Sequence, residues 1–375
     1  MARVALVHDW LTGMRGGEKV LEAIAEVYPD APIHTLLSVR GSVSSALERR
    51  IGPRSFVHWL PSAGRHYRQY LLLFPTAIEQ FDFDPFDLVI STSHCAAKSV
   101  VVPGRARHIC YCHSPMRYAW DQFDSYFGAE QVGAVRSRLM RRLLAPLARW
   151  DRATAERVDH FVANSRYVAG RIRRYYNREA SVVYPPVDTD FYQPDPARRP
   201  DFFLIVSAMA PYKRLDVAIR ACRAAGVPLK IVGRGPEGPR LRALAGPDVE
   251  FLGWVADEEV RRLYQGSLAV LMPGVEDFGM VPVEAQACGR PVVALAEGGA
   301  LESVVDGQTG ILVGDRSVEA FADALREVRS RAFDNGAIRR HAETFSRARF
   351  KQQFQQIVAT VSPRRGSAAA CEDQP

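Results

Sequence analysis

Short apolar runs that alternate with helical stretches, in two separate series, constrain the fold of this chain more than any other feature. A strand followed by a helix, repeated along a chain, is typical of a parallel sheet covered by helices on both faces. A proline-rich stretch at residues 185–200 separates the two series. The sequence therefore predicts two α/β domains joined by a hinge. The predicted strands are residues 4–8, 32–37, 87–91, 108–111, 160–163 and 181–184, and then 202–207, 229–232, 249–252, 268–272, 291–295 and 310–313.

The composition indicates a globular protein without a membrane-spanning segment. Of the 375 residues, 47% are apolar and 24% are charged. No run approaches the roughly 20 apolar residues that a membrane-spanning helix needs. The apolar segment at the N-terminus is too short for a signal peptide, so we expect a cytoplasmic protein. The six cysteines are scattered and mostly flanked by apolar residues, which favours buried thiols over a zinc site.

The charge balance indicates the kind of partner. A formal net charge of +7 favours anionic partners such as nucleic acid, acidic lipid or nucleotide phosphates. Because no segment resembles a nucleic-acid-binding module, we expect a sugar nucleotide and membrane lipid, and no nucleic acid.

The stretch 272–289 carries the strongest functional signal. It follows a run with the composition of a buried strand, at residues 267–272, and leads into the first turns of a helix near Pro282. Glu276 and Glu284 flank this helix start, where unpaired amides favour anions and oxygen-rich ligands. Two glutamates placed in this way could hold hydroxyl groups on two parts of one ligand, such as a sugar nucleotide. An ordinary helix-terminal carboxylate beside a solvated loop charge is the alternative interpretation.

The strings around these glutamates resemble a known family. EDFGMVPVE, AQACGRPVVA and GGALESVVDGQTGILV, within residues 276–313, closely resemble the donor-binding signature of retaining glycosyltransferases of family 4, which have the GT-B fold. The resemblance runs from residue 2 to about residue 360. It looks closest to a bacterial branch of mannosyltransferases that build surface polysaccharides and O-antigens.

The resemblance implies a domain organisation. It implies two Rossmann-like α/β domains that face each other across a cleft. Residues 1–190 would bind the acceptor, and residues 191–344 would bind the nucleotide-sugar donor. A C-terminal helix at residues 345–361 would cross back to complete the first domain. Residues 362–375 are small and polar, so we expect a disordered tail.

The resemblance also assigns site residues. His113, Lys213 and Glu276 would be catalytic: His113 contacts the transferred sugar, Lys213 the donor pyrophosphate, and Glu276 orients the sugar ring. Glu284 would hold the ribose. Arg117, Tyr118 and Trp120 suit sugar recognition through hydrogen bonds and ring stacking. The other expected donor-binding residues lie in loops after strands or at helix starts; they are Gly16, Gly17, Arg214, Gly233, Gly235, Glu237, Trp254, Phe278, Gly279, Met280 and Val281.

One position departs from the family pattern. Where the family has a phosphate-binding arginine, a few residues ahead of the lysine, this chain has Ala208. Either Arg214 replaces that arginine, or the phosphate charge is offset elsewhere. The strings at residues 82–84 and 188–190 look like a metal-binding D-x-D motif, but neither follows a strand in a nucleotide-binding context. We expect no metal and no other cofactor, with cationic side chains replacing the ion.

The expected function is transfer of a hexose, with retention of configuration, to a glycan or polyprenyl-linked acceptor. Resemblance to the mannosyltransferase branch points to GDP-mannose, while nothing in the residues themselves distinguishes guanine from uracil. Front-face attack within one ion-pair-like transition state is preferred to double displacement with Glu276 as nucleophile. The alternatives are a transferase with a UDP-sugar donor, a GT-B-fold sugar-nucleotide epimerase, and a non-catalytic scaffold.

Two basic and apolar segments suggest contact with a membrane. Residues 60–75 combine arginines with aromatic and leucine side chains, and residues 136–152 repeat leucines at helical spacing among six arginines. Such a pattern is typical of a helix in the membrane interface, here at the inner face of the plasma membrane. A half-buried surface helix is the alternative, since Pro146 interrupts the pattern.

Overall fold

A computed structural model of the chain describes residues 2–117, 119–120, 123, 128 and 133–361. These residues form two parallel sheets, one of seven strands and one of six, which confirms the predicted pair of Rossmann-like α/β units. Tyr118 and the expected tail at residues 362–375 lie outside the described residues.

The first sheet has the strand order β3-β2-β1-β4-β5-β6-β7, and neighbouring strands are parallel. Helices connect the strands across both faces, and the segment Tyr67–Leu73 is a 3₁₀ helix. The strands are β1 Val4–His8, β2 Ile33–Thr35, β3 Ile51–Arg54, β4 Leu88–Ser93, β5 Arg107–Cys112, β6 His160–Ala163 and β7 Ala180–Val182; the helices are α1 Gly16–Val27, α2 Ser45–Glu48, α3 Ala63–His66, α4 Phe74–Glu79, α5 Ala134–Ala153 and α6 Arg166–Tyr176.

The second sheet has the order β10-β9-β8-β11-β12-β13 and is also parallel throughout. Its strands are β8 Phe202–Val206, β9 Leu229–Val232, β10 Val249–Gly253, β11 Ser267–Met272, β12 Val292–Leu295 and β13 Gly310–Val313; the helices that follow them are α7 Leu215–Ala225, α8 Gly238–Leu244, α9 Asp257–Gly266, α10 Met280–Ala287, α11 Ala300–Ser303, α12 Val318–Ser330, α13 Asn335–Glu343 and α14 Arg347–Val361.

The edge strand β3 is the one strand that the apolar runs do not reveal. It contains Gly52 and Pro53, and its residues are half-buried or exposed. Proline cannot donate to a sheet ladder and glycine has no side chain to pack, so both residues are tolerated mainly at sheet edges. The sequence of such a strand therefore resembles that of a turn.

The last helix, α14, follows the second sheet in the chain but packs against the first. Phe350 and Phe354 are buried, and both rings contact Tyr111 of β5. Arg347 forms ion pairs with Glu22 and Glu26 of α1. The chain thus crosses between the two sheets twice, at the stretch after β7 and before α14. The domain boundaries at residues 190 and 344 stay a prediction.

Within the described residues, no helix has both the length and the apolar composition needed to cross a bilayer. The five described cysteines, Cys95, Cys110, Cys112, Cys222 and Cys288, are buried free thiols.

Candidate active site

A cavity of about 1200 Å³ lies where the carboxyl ends of the two sheets face each other. Loops that follow β1, β4, β5 and β6 line it on one side, and loops that follow β8, β9 and β11 line it on the other. Ligands of doubly wound α/β folds bind at this end of the sheet. A cavity built by both sheets has room for a ligand with two chemically different halves.

Lys213 and Glu276 form an ion pair in the wall of this cavity. Lys213 ends the 3₁₀ turn Pro211–Lys213 after β8, and Glu276 lies in the loop between β11 and α10. Gly274 allows the two loops to meet, since a Cβ atom there would lie 2.5 Å from the carbonyl oxygen of Tyr212. An ammonium group held beside a carboxylate can contact a phosphate and a sugar hydroxyl on the same ligand.

Two helix N-termini meet across the cavity. Gly279, with φ of +83°, precedes α10, and Gly16 begins α1. A Cβ atom on Gly16 would lie 3.1 Å from the sulfur of Met280, so the two helix starts are close neighbours. The first amides of a helix lack intrahelical acceptors and carry the positive end of its dipole, which makes this place favourable for an anion.

Two consecutive glycines, Gly298 and Gly299, allow the loop after β12 to pack closely against the loop that contains Glu276. Gly298 and Gly299 follow β12, and the amide of Gly299 donates to the carbonyl oxygen of Glu276 at 2.8 Å. A Cβ atom on Gly299 would lie 2.3 Å from the Cα atom of Phe278, so a side chain there would push the loops apart. Phe278 itself is buried and stacks on Tyr184, with ring centroids 5.4 Å apart.

His113 lies directly after β5 and faces the cavity from the first sheet. Its amide donates to the carbonyl oxygen of Ser93 at 2.8 Å, and its own carbonyl oxygen accepts from the side chain of Asn164 at 3.0 Å. Burial, together with the charge of Arg117, lowers the pKa of His113 to about 3. The imidazole is therefore neutral at physiological pH.

Asp277 is the functional candidate that the sequence did not reveal. It comes from the second sheet, yet its carboxylate forms ion pairs with Arg117 and with Arg171 of α6, the latter at 2.7 Å. The hydroxyl group of Ser165 also donates to the backbone oxygen of Asp277, at 2.6 Å. Burial alone would raise the pKa of Asp277, but the two guanidinium groups outweigh it and lower the pKa. The sequence motif does not indicate these ion pairs, because the two arginines are distant in sequence and only the folded structure brings them to Asp277.

Glu284 lies on α10 but does not line the cavity. Its carboxylate accepts from the hydroxyl group of Tyr264 at 2.9 Å and from Lys19 of α1 at 3.4 Å. Lys19 also forms an ion pair with Asp257 at 3.4 Å. Glu284 therefore takes part in a contact between the two halves of the molecule, and its role at a ribose stays a prediction.

Besides Glu284, three other expected donor-binding side chains do not line the cavity: Arg214, Trp254 and Val281. Arg214 adopts a left-handed conformation, its guanidinium pairs with Asp216 at 3.1 Å, and it does not line the cavity, so its replacement of the arginine missing at Ala208 stays a prediction. Trp254 is 71% exposed and, like Val281, lies outside the cavity wall.

The other expected residues line the cavity or support its wall. The side chain or backbone of Gly16, Gly17, His113, Lys213, Glu237, Glu276, Phe278, Gly279 and Met280 faces the cavity, as do those of Arg15, Arg68, Arg117 and Arg240. Gly233 and Gly235 have a packing role: Cβ atoms there would lie 2.0 and 2.4 Å from the carbonyl oxygens of Ser207 and Met209. Four arginines thus contribute to the cavity wall, and two of them are paired there with carboxylates, Arg117 with Asp277 and Arg240 with Glu237.

The two D-x-D strings form local turns. A carboxylate oxygen of Asp82 accepts from the amide of Asp84 at 2.8 Å, and one of Asp188 accepts from the amide of Phe191 at 2.9 Å. Neither string contributes to the cavity wall. Throughout the described ranges, no three histidine, cysteine or acidic side chains are grouped in a way that could hold a metal ion.

Two parallel α/β units around a shared cavity define the GT-B class, and comparisons with known proteins identify the family. Residues 14–191 match the model described as "Glycosyltransferase Family 4", and residues 187–342 match the model "Glycosyl transferases group 1". The two matches overlap at residues 187–191 and together span residues 14–342. The chain belongs to glycosyltransferase family 4.

Curated relatives match over part of their length. A GDP-mannose-dependent alpha-(1-6)-phosphatidylinositol monomannoside mannosyltransferase of Mycobacterium tuberculosis is 35% identical over 207 residues, which cover 46% of this chain and 54% of that protein. A D-inositol 3-phosphate glycosyltransferase of Mycobacteroides abscessus is 34% identical over 224 residues, covering 52% and 50%. The chain thus spans about half the length of the curated relatives it matches.

Solved structures share the fold over 96% of the chain. HepE from Anabaena, in complex with UDP, matches with a TM-score of 0.68 and 21% identity, covering 96% of this chain and all of that one. Sucrose-phosphate synthase from Thermosynechococcus elongatus matches with a TM-score of 0.69 and 16% identity, covering 96% and 99%. At these identities the likeness concerns the fold.

Proposed function

We propose that the protein is a retaining hexosyltransferase that moves mannose from GDP-mannose onto a glycan or polyprenyl-linked acceptor in surface-polysaccharide synthesis. The observation that carries the proposal is the cavity between the sheets, in which His113 of the first unit faces Lys213 and Glu276 of the second. The mannosyltransferase relative supports mannose and GDP, although the match covers about half of its length. A UDP-sugar is the alternative donor.

The reaction needs no metal in this proposal. The diphosphate lies against the facing N-termini of α1 and α10 and beside Lys213, so that helix amides and cationic side chains carry the stabilisation that a divalent ion would supply. As the bond to the sugar breaks, negative charge grows on the leaving phosphate, and preorganised donors aimed at that charge lower the barrier.

The remaining residues hold the sugar. Glu276 accepts a hydrogen bond from a hydroxyl group of the hexose, and the neutral His113 contacts the ring from the opposite wall. The acceptor hydroxyl approaches from the leaving-group side and passes its proton to the departing phosphate, so the configuration at the anomeric carbon is retained. An epimerase would instead need acid and base carboxylates at the sugar and no acceptor.

The donor is identified by binding and by product analysis. Calorimetric titration with GDP, GDP-mannose, UDP and UDP-glucose should show binding of the two guanine nucleotides, GDP and GDP-mannose. Incubation with GDP-mannose should give free mannose or the transfer product, in either case as the α-anomer. Uracil ligands that bind better would change the donor assignment. Interconversion of the sugar nucleotide without transfer would favour the epimerase.

We further propose that α5 rests on the inner face of the plasma membrane. Val135, Leu139 and Leu143 are exposed at 84%, 55% and 43%, and Arg138 and Arg142 on the same helix are exposed as well. An exposed row of apolar side chains among arginines suits an interface with anionic lipid.

Binding to vesicles tests this placement. We expect the protein to sediment with vesicles that contain anionic lipid, less so at high salt, because exposed charges are screened. Replacement of Arg138, Arg141 and Arg142 by glutamate should abolish sedimentation. The same replacement at the exposed Arg220, Arg223 and Arg329, which lie on helices of the second sheet, is the matched control and should not. Equal binding by both variants contradicts the assignment of α5.

A further inference from the structure

Among the described residues, two histidines beside α1, the buried His8 and the half-buried His113, each have a buried ring nitrogen without a hydrogen-bond partner. His8 ends β1 and is fully buried, and its Nδ1 lies 2.7 Å from the hydroxyl oxygen of Thr92. In the part of the chain that the structure describes, Nε2 of His8 and Nε2 of His113 are buried and have no hydrogen-bond partner. Such unsatisfied groups are uncommon in native structures and need an explanation.

The chemistry of the His8 nitrogen follows from its neighbours. The Thr92 hydroxyl lies 3.3 Å from the carbonyl oxygen of Val7 and can donate to it. It then accepts the Nδ1–H of His8, which leaves Nε2 of His8 as a lone-pair acceptor. Burial and the neighbouring His94 lower the pKa of His8 to about 3, so this nitrogen stays unprotonated.

Glu18 faces the same nitrogen across a gap. Its Oε1 lies 4.0 Å from Nε2 of His8, and the residue is 4% exposed in the wall of the cavity. This distance is too long for a direct hydrogen bond. One intervening oxygen, at about 2.8 Å from each atom, would satisfy both groups.

Gly17 leaves space for such an oxygen. A Cβ atom built on Gly17 would lie 3.5 Å from Nε2 of His113 and 3.6 Å from Cε1 of His8, which are ordinary contact distances. The space beside Gly17 is therefore at least as large as a methyl group and is bordered by both imidazoles. It opens to the cavity, because Gly17, Glu18 and His113 all line it.

We propose that His8, Glu18 and His113 bind one hydroxyl group of the acceptor sugar in the space beside Gly17. The assignment rests on the proposed function. The hydroxyl donates to Nε2 of His8 and accepts from the protonated carboxyl of Glu18, while the ring of His113 covers it. A phosphate is disfavoured here, because two neutral imidazoles and a carboxyl group offer little to an anion, whereas a hydroxyl both donates and accepts.

The carboxyl group adds a pH dependence. Burial is the main cause that raises the pKa of Glu18 to about 7, and Arg15 opposes it. Below pH 7 the carboxyl donates to the hydroxyl; above pH 7 it can only accept, and the single hydroxyl proton cannot serve both Glu18 and His8. The pKa values of His8, His94 and His113 are lowered to about 3, so these imidazoles do not change charge in this range. Burial raises the pKa of Asp9, and the backbone amide hydrogen bonds that its carboxylate accepts oppose that shift.

The test uses GDP-mannose as donor and octyl α-D-mannopyranoside as the acceptor probe. For the wild type, KM for the probe should rise about five- to tenfold between pH 6 and pH 8.5, the loss expected for one hydrogen bond in a buried site. Glu18→Gln keeps a permanent donor, so its KM should stay flat. Glu22→Gln, one turn further along α1 and paired with Arg347, is the matched control and should follow the wild type.

A second variant, Gly17→Ala, distinguishes loss of acceptor binding from loss of protein stability. Gly17→Ala should raise the melting temperature or leave it unchanged, because alanine favours a helix, yet its methyl group should raise KM for the probe. Calorimetric binding of GDP to the wild type and to Glu18→Gln reports on the donor site separately, so failure there counts against the proposed function. An unchanged KM in Gly17→Ala, or the same pH profile in Glu18→Gln and the wild type, overturns the hydroxyl site. The same holds if the wild type neither glycosylates the probe nor binds it by saturation-transfer NMR.

Discussion

Replacing Glu276 by glutamine is expected to lower transfer from GDP-mannose at least tenfold, while the affinity for bare GDP stays unchanged or increases. The carboxylate of Glu276 forms an ion pair with Lys213 in the wall of the cavity. Loss of its charge releases the lysine for the diphosphate, but the sugar loses the acceptor that orients it. A tenfold lower rate corresponds to about 1.4 kcal/mol of transition-state stabilisation, which a positioned charged hydrogen bond readily supplies.

Lysine variants complete this test. Lys213→Ala should weaken GDP binding and lower turnover by roughly two to three orders of magnitude, the usual effect of removing a donor aimed at developing negative charge. Lys230→Ala, on strand β9 and paired with Glu250, is the control and should behave as the wild type. Steady-state kinetics and GDP calorimetry measure both quantities. Equal losses of GDP affinity in Glu276→Gln and Lys213→Ala would contradict the separate roles.

Replacing Asp277 by alanine is expected to have the largest effect on stability. Arg171 is 5% exposed, and without Asp277 its guanidinium, with that of Arg117, loses a buried carboxylate. Removing one partner of a buried ion pair costs about 3–5 kcal/mol in the free energy of unfolding. Turnover should fall as well, because the adjacent Glu276 loses the contacts that hold its loop against the first sheet.

The pH dependence of this effect has a defined sign. The pKa of Asp277 is lowered in the folded state, so its stabilising contribution is present above the usual aspartate range and is lost as the pH falls through the folded-state value. Urea unfolding of Asp277→Ala and the wild type should therefore differ at pH 7 and converge in acid. Asp323→Ala, which removes an exposed partner of Arg326, should cost less than about 1 kcal/mol. Comparable losses in the two variants would show that Asp277 does not act as a buried ion-pair partner.

Much of the architecture could be predicted because buried parallel strands consist of continuous apolar residues. The runs that became β1 and β11 are mostly apolar in this way, and both strands lie in the interior of their sheets. The edge strand β3 could not be predicted, because an edge needs fewer apolar residues and tolerates Pro53. The helical spacing of apolar residues also predicted the last helix, α14. That spacing does not indicate which of the two sheets the helix packs against.

The candidate site was predictable where its residues are close in sequence. Glu276 and the helix start at Met280 lie in one loop, and their relation follows from the motif. Asp277 could not be predicted in the same way, because its carboxylate contacts Arg117 and Arg171, which are 160 and 106 residues away in the sequence. The ion pair between Arg214 and Asp216 could not be predicted from the motif. Arg214 has a left-handed backbone conformation, and the motif does not specify the backbone geometry that sets the direction of its side chain.

Hydrogen–deuterium exchange with and without saturating GDP tests the central claim most directly, because it locates the ligand. The first amides of α10 at residues 279–281 have no intrahelical acceptors and should exchange rapidly in the free protein. If the diphosphate binds between the two sheets, exchange should slow there, in the turn at residues 211–214 and at Gly16 and Gly17, and UDP should protect the same amides less. Protection confined to segments outside the cavity, or no protection by either nucleotide, would contradict the account of this cavity as a donor site.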